Sequence, residues 1–143
     1  MSKYIFWKKK IINKINKLST KYDCEIQVVS SLQANACVVK IGKKYFIFVS
    51  EKIEKKILPL TLFHEFGHIK FNTINTCPQK YNYFNEMLSN LYAFFKLSFQ
   101  FSFHQKLKLL TLTIFSEKKL YEYFKTNNIL GGDYIYEKIF TNK

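Results

Sequence analysis

The chain of 143 residues contains no arginine. All 23 of its basic residues are lysine, and against 10 acidic residues they give a formal net charge of +13. Arginine is the side chain best suited to bidentate contacts with phosphate and guanine, so its absence argues against direct binding of nucleic acid. Two interpretations of the lysine excess remain open: a solvated basic surface, and a patch that binds a partner.

Glycine and proline are also scarce, with four and two residues, which excludes collagen-like and low-complexity architectures. No apolar run reaches the roughly 18 uncharged residues that a membrane helix needs. The longest candidate, residues 87–103, is interrupted by Lys96 and by polar side chains, and the apolar stretch at residues 4–7 is too short for a secretory signal. We therefore expect one cytoplasmic domain, residues 1–143, without membrane contact.

Cysteine is rare, and its spacing is uninformative. Cys24, Cys37 and Cys77 are an odd number and include no C-x-x-C pair. This pattern argues against a disulfide framework and against a structural zinc knuckle. No role is assigned to any of the three thiols.

The spacing of apolar residues predicts an α+β fold with a small antiparallel sheet. Two β-rich runs, residues 36–39 and 45–49, flank a short turn that contains Gly42, and this arrangement predicts a β-hairpin. A further apolar run at residues 26–29 precedes the hairpin. The order of a helix, a hairpin and then several helices is typical of the α+β class.

Helical periodicity covers much of the remaining chain. Helices are predicted over about residues 3–21, 61–70 (with Pro59 in its first turn), 82–97 and 107–124. Alternating phenylalanines over residues 99–103 leave both a short extended piece and a helical bend open. A last short helix is predicted after Gly131 and Gly132, with Asp133 as its N-cap.

One motif in the sequence carries recognisable chemistry: residues 64–68 form H-E-x-x-H. On a helix, His64 and His68 lie one turn apart on the same face and can both direct an imidazole nitrogen at one Zn²⁺ ion. Zinc lowers the pKa of a bound water to about 7, and Glu65, at the edge of that face, can accept the proton of this water as it attacks a carbonyl. Random placement of the histidines and glutamates gives roughly 0.003 such motifs per chain of this composition, which makes chance a weak explanation.

A zinc site of this kind needs a third protein ligand. The longer motif H-E-x-x-H-x-x-G-x-x-H is excluded, because Phe71 and Ile74 occupy its glycine and third histidine positions. Glu86 is the preferred candidate, since it follows His68 at a distance that leaves room for a loop and an antiparallel helix. The other candidates are His104, which is second in preference, Glu117, Glu122, Asp133 and Glu137.

The helix that carries Glu86 has two distinct faces. Glu86, Asn90 and Ala93 share one face, and the small or polar residues there suit close packing against the helix of the motif. A separate apolar stripe, which we predict to face the core, consists of Leu88, Leu91 and Phe95.

With these residues the chain resembles the ImmA/IrrE-type metallopeptidases of bacteria and their mobile elements. That family typically has H-E-[LI]-[GS]-H and, on a later helix, E-x-x-A-N-x-F-A; the matching stretches here are HEFGH at residues 64–68 and EMLSNLYA at residues 86–93. The resemblance covers about residues 10–97 and implies a small zincin-like domain. It also implies Glu65 as the catalytic base and three zinc ligands, His64, His68 and Glu86.

The resemblance implies a function as well. Members of this family are implicated in cleaving repressor proteins and so in switching on mobile-element or stress genes. We therefore expect a zinc-dependent endopeptidase whose substrate is a separately encoded transcriptional repressor. Residues 98–143 have no match in the family pattern, and we expect a mostly helical extension that contributes to substrate recognition.

Some assignments stay open at this point. Asn90, Tyr83 and Tyr92 are candidates for supporting a metal ligand or for donating to the oxyanion, and Tyr81 is a further oxyanion candidate by chain position alone. One alternative function is a non-catalytic module of the same fold that uses its lysine-rich surface to dock a protein or nucleic acid. Another is a DNA-associated protease of a different H-E-x-x-H family, against which the short chain and the missing arginine argue.

Overall fold

The computed structural model describes residues 3–74, 82–127 and 130–141, which form a small sheet and a cluster of helices. The helices are α1 (Lys3–Lys21), α2 (Leu58–Lys70), α3 (Tyr83–Leu97), α4 (Phe103–Phe115), α5 (Glu117–Asn127) and α6 (Gly132–Tyr136). The strands are β1 (Cys24–Val29), β2 (Ala36–Ile41) and β3 (Lys44–Ser50). Short 3-10 turns at Lys55–Ile57 and Ser98–Gln100 precede α2 and α4, and a π-helical turn, Glu137–Thr141, follows α6. The α+β class predicted from the sequence is confirmed.

The sheet is mixed, and the prediction of an antiparallel sheet was wrong in this respect. β2 and β3 form the predicted antiparallel hairpin, and Gly42 in its turn has a φ of +64°, a conformation that glycine adopts without steric cost. β1 pairs with the other side of β3 in parallel, so the strand order is β1-β3-β2. β3 takes the central position, and two of its side chains, Ile47 and Val49, are fully buried.

The hydrophobic core surrounds α2. Every residue of this helix from Leu58 to Ile69 is buried, because the sheet, α1, α3 and α6 all pack against it. The later helices contribute to the same core through Leu109, Leu120, Phe124 and Ile135. The H-E-x-x-H motif therefore lies inside the molecule. No helix among the described residues has the length and apolar character needed to cross a membrane.

The small face of α3 packs against α2 as predicted, but the prediction that the apolar stripe faces the core was wrong. The buried residues of α3 are Ser89, Asn90, Ala93, Phe94 and Leu97. The stripe of Leu88, Leu91 and Phe95 instead lies on the outside, where the first two are half-buried and Phe95 is 67% exposed. Ser89 faces α2 because the two helices approach closely at Gly67, which leaves no space for a large side chain at this contact.

The helix predicted over residues 107–124 is in fact two helices, α4 and α5. They are separated at Ser116, whose φ of −157° and ψ of 92° are extended. The Ser116 hydroxyl accepts a hydrogen bond from the Lys119 backbone N–H at 3.3 Å, and this N-cap starts α5. The break lets α5 pack against the Lys55–Ile57 turn that leads into α2, so that α5 and α2 line the same cleft.

Two further details of the C-terminal part are settled by the structure. The phenylalanines over residues 99–103 belong to the helical bend, since a 3-10 turn is followed by a capping box between Ser102 and Gln105 that begins α4. Asp133 is not the N-cap of α6, as predicted, but lies within its first turn. The N-cap is Gly131, and its φ of +64° explains why this position holds a glycine.

Candidate metal centre

A close approach of α2 and α3 positions the candidate metal centre. A β-carbon added at Gly67 would lie 2.8 Å from Ser89 Cα, closer than such atoms come in proteins. Only glycine allows the two helices to approach this far. The approach places the Glu86 carboxylate, one turn before Ser89, within reach of both histidines of α2.

The three predicted ligands are brought together at this point. His64 Nε2 lies 3.2 Å from His68 Nε2, and the two Glu86 oxygens lie 2.8 Å from His64 Nε2 and 3.3 Å from His68 Nε2. Two nitrogen ligands of a tetrahedral zinc ion, each at about 2.0–2.1 Å, are about 3.4 Å apart. The spacing of the histidine nitrogens therefore suits two ligands of one ion. Two imidazoles and a carboxylate are also a common donor set of catalytic zinc, and this group can hold a metal ion.

The second nitrogen of each imidazole ring has its own partner. His64 Nδ1 lies 2.6 Å from Asn90 Oδ1, and His68 Nδ1 lies 2.8 Å from Thr73 Oγ1. Because the Asn90 amide oxygen can only accept, it holds a proton on His64 Nδ1, so Nε2, which faces Glu86, is the nitrogen that can give up its proton and bind a metal ion. Asn90, a candidate named from the sequence, thus contacts one of the predicted metal ligands.

Thr73 was not identified from the sequence. It is brought under His68 by a turn at the end of α2, where Asn72 has a φ of +54° and the Thr73 backbone N–H donates to the His68 carbonyl at 2.9 Å. Asparagine tolerates this left-handed conformation better than most residues. Asn72, just after α2, is the sequence feature that predicts a turn here. It does not predict that Thr73 contacts the His68 imidazole.

The charges of the group are strongly coupled. Burial opposes a charge on His64, but the hydrogen bond to Glu86 and the carboxylates of Glu65 and Glu86 raise the pKa of His64 to about 9. Burial similarly works against the Glu86 carboxylate, but hydrogen bonds with His64 and His68 lower its pKa to about 2. Glu86 is therefore ionised at neutral pH, and a cation that binds here must displace the His64 proton.

Glu65 lies beside these three groups in the same cleft. It is 6% exposed, and burial raises its pKa to about 6, although His64 and His68 oppose the rise. A carboxyl group with a pKa close to neutrality can both accept and release a proton during a reaction. This position suits the base predicted from the motif.

The site opens into a cleft of about 770 Å³ whose far wall comes from the C-terminal part of the chain. Glu117 and Tyr121, one turn apart on α5, face the motif across this cleft. Burial raises the pKa of Glu117, while His64 opposes the rise. Burial also raises the pKa of the Tyr121 phenol far above its ordinary value, and the charges of Glu117 and Glu65 add to the effect. The phenol is therefore a hydrogen-bond donor at neutral pH.

Tyr121 was missed in the sequence because nothing local marks it. Its spacing from Glu117 predicts only that the two share a helix face. Their position opposite α2 depends on the break at Ser116 and on the packing of α5, which are long-range features of the fold.

The alternative ligands do not join the metal-binding group of the described residues. His104 is exposed on α4, with its ring against Phe103. Glu117 and Glu122 line the cleft. Asp133 and Glu137 belong to the α6 region and are not among the residues that line the cleft.

Of the three tyrosines predicted as oxyanion donors, the two that the structure describes occupy different positions relative to the cleft. Tyr83 lines the cleft, but its hydroxyl donates a hydrogen bond to the Ile114 carbonyl. Tyr92 packs edge-to-face on Phe71 and is not among the described residues that line the cleft. Tyr81 lies outside the described residues.

Comparison with known proteins returns nothing for this chain: no family model matches, and no curated protein or solved structure is significantly similar. The resemblance to the ImmA/IrrE-type enzymes therefore stays a prediction that depends on the residues of the two motifs.

Proposed function

We propose that this protein is a zinc-dependent endopeptidase of the ImmA/IrrE type, with a zincin-like arrangement of its motif helix, that cleaves a transcriptional repressor of a mobile element or stress regulon. One observation carries the proposal. The Nε2 atoms of His64 and His68 and the Glu86 carboxylate converge with spacings of 2.8–3.3 Å, and the buried Glu65 lies beside them in an open cleft.

Each residue of the site then has a defined task. Zinc held by His64, His68 and Glu86 would polarise the scissile carbonyl and activate a water molecule. Glu65 accepts the proton of the attacking water on its carboxylate and passes it to the leaving amine. Tyr121 donates a hydrogen bond from its hydroxyl to the substrate oxygen that gains negative charge.

An edge strand beside the cleft favours a polypeptide substrate. β2 is an edge strand of the sheet, and Ala36, at its start, lines the cleft together with Asn35. The unpaired N–H and C=O groups of an edge strand can bind an extended peptide by strand addition. A peptide bound along β2 would enter the cleft beside Glu65.

The first test is the zinc content of the untagged protein, measured by elemental mass spectrometry. We expect one zinc ion per chain, lost in Glu86→Ala because two ligands cannot hold the ion. His104→Ala is the matched control, since it removes a histidine outside the site and should keep the full zinc content. A chain that contains no zinc and takes up none on addition of Zn²⁺ contradicts the proposal.

The role of Tyr121 is tested by Tyr121→Phe, which removes only the hydroxyl. We expect the cleavage rate to fall by roughly 10²–10³, the usual effect of losing one oxyanion donor, with unchanged zinc content. The rate is measured by co-expression with each repressor encoded in the same genome. Tyr123→Phe, a neighbour on α5 outside the cleft, should cleave like the parent. Equal rates for both variants would remove Tyr121 from the mechanism.

A further inference from the structure

The pair α3 and α4 carries an exposed apolar surface, called here the α3/α4 face. Its residues recur at spacings of four, three and four along each helix, which places them in one stripe per helix. The α3 stripe consists of Phe84, Leu88, Leu91 and Phe95, and the α4 stripe consists of Phe103, Leu107, Leu110 and Ile114.

The two helices run side by side. A short turn, Ser98–Gln100, joins the helices at one end, and at the other end the Tyr83 hydroxyl donates to the Ile114 carbonyl. α3 and α4 are therefore antiparallel neighbours that pack against each other. Leu91 and Leu110, in the middle of the stripes, are half-buried, as expected for side chains that lie along the seam between two helices.

The outer residues of the α3/α4 face are well exposed. Phe84, Phe95 and Phe103 are 58%, 67% and 71% exposed, and Leu107 is 49% exposed. At roughly 200 Å² for a whole phenylalanine, the three rings alone present about 400 Å² of apolar surface. A contiguous apolar patch of this size on a soluble domain is typical of a binding site, whereas single exposed side chains are not.

The α3/α4 face is continuous with the cleft. Phe84 adjoins Tyr83, which lines the cleft, and Phe115, which follows Ile114, is 75% exposed at its rim. A protein that lies along the face therefore reaches the metal centre with a neighbouring segment.

Charge distinguishes between possible occupants of the face. The region of α3 and α4 contains three lysines, Lys96, Lys106 and Lys108, and a single acid, Glu86, which belongs to the metal-binding group. Two copies of a chain with a net charge of +13 repel each other, whereas an acidic partner is attracted. The seam between two antiparallel helices also has the shape that accepts a third, amphipathic helix.

We propose that the α3/α4 face docks an amphipathic helix of the substrate protein, with acidic residues on either side of the apolar stripe of that helix. This rests on the proposed function and extends it: docking selects the substrate, and the cleft cleaves a segment beside the docked helix. Residues 98–143 then contribute to substrate recognition through α4.

The test uses two synthetic helical peptides of three heptads with identical apolar positions, one flanked by glutamates and the other by lysines. Binding of each labelled peptide to the full chain is measured by fluorescence anisotropy. We expect the glutamate peptide to bind at least tenfold more tightly than the lysine peptide, because only its charges complement the chain. The double variant Phe95→Gln with Phe103→Gln should weaken this binding at least tenfold, while Phe6→Gln, which alters an equally exposed ring on α1, should not change it.

Several outcomes overturn the docking proposal. Absent binding, equal affinity for both peptides, or binding that the double variant leaves intact would each do so. Self-association of the parent that the double variant abolishes would assign the face to a second copy, and binding to phosphatidylserine vesicles with the same sensitivity would assign it to a membrane. Because the peptides bind outside the metal centre, the assay is repeated with a chelator. If the peptide still binds in the presence of the chelator, the docking proposal stands even where no zinc or no cleavage is found.

Discussion

Replacing Glu65 with glutamine should abolish cleavage and leave the zinc content at its parental level. The amide has nearly the same shape as the carboxyl group, but it cannot accept the proton of the attacking water. Loss of a general base costs typically 10²–10⁴ in rate. The buried position of Glu65 and its raised pKa of about 6 suit this role. Cleavage of co-expressed repressors, followed by immunoblot, measures the rate, and elemental mass spectrometry measures the zinc.

The combination of the two measurements separates the possible explanations. Parental cleavage by Glu65→Gln would falsify the proposed mechanism. Loss of zinc in the same variant would instead make Glu65 a ligand. A chain that keeps its zinc and binds a partner equally well with and without the Glu65 carboxylate, but cleaves nothing, would support the non-catalytic binding module considered above.

Replacing Gly132 with alanine should strongly destabilise the fold. A β-carbon at this position would overlap the carbonyl oxygen and carbon of Lys55 and lie 3.0 Å from Lys56 N. These are backbone atoms of the turn that leads into α2, so the clash cannot be relieved by a side-chain rotation. We expect a loss of at least about 3 kcal/mol in the free energy of unfolding, at the upper end for overpacking, measured by urea denaturation in the presence of a chelator.

Gly42→Ala is the matched control for this substitution. Gly42 has a φ of +64°, but apart from its immediate chain neighbours no residue has an atom within 4 Å of an added β-carbon. Its replacement should cost only the backbone strain of about 1–2 kcal/mol. If the two variants unfold at the same urea concentration, α6 does not pack against the turn at Lys55–Ile57 as described.

Sequence reasoning was most successful where function depends on local spacing. The separation of His64 from His68 on one helix follows from helix geometry alone, and the choice of Glu86 needed only a loop and a second helix. The hairpin at Gly42 is equally local. These are the features that a few neighbouring residues determine.

Features that depend on distant parts of the chain were not predicted. Periodicity showed two stripes on α3 and matched the small one to the motif helix, but it did not show that the apolar stripe would be left outside with Phe95 exposed. Strand propensity could not show that β3 lies between β1 and β2. Tyr121 reaches the cleft only because the chain turns back at Ser116. In each case packing, rather than propensity, decides the arrangement.

The contact between Gly67 and Ser89 constrains both positions to small residues, and this constraint can be used to search for distant relatives of the chain. Since the backbones meet there, enlarging either residue pushes Glu86 away from the histidines, and mutations at the two positions cannot accumulate independently. Descendants of a common ancestor should therefore carry small residues at both places, at a separation set by the loop between α2 and α3. A search pattern that couples these two positions to H-E-x-x-H and the later glutamate would detect kinship after overall sequence similarity has been lost.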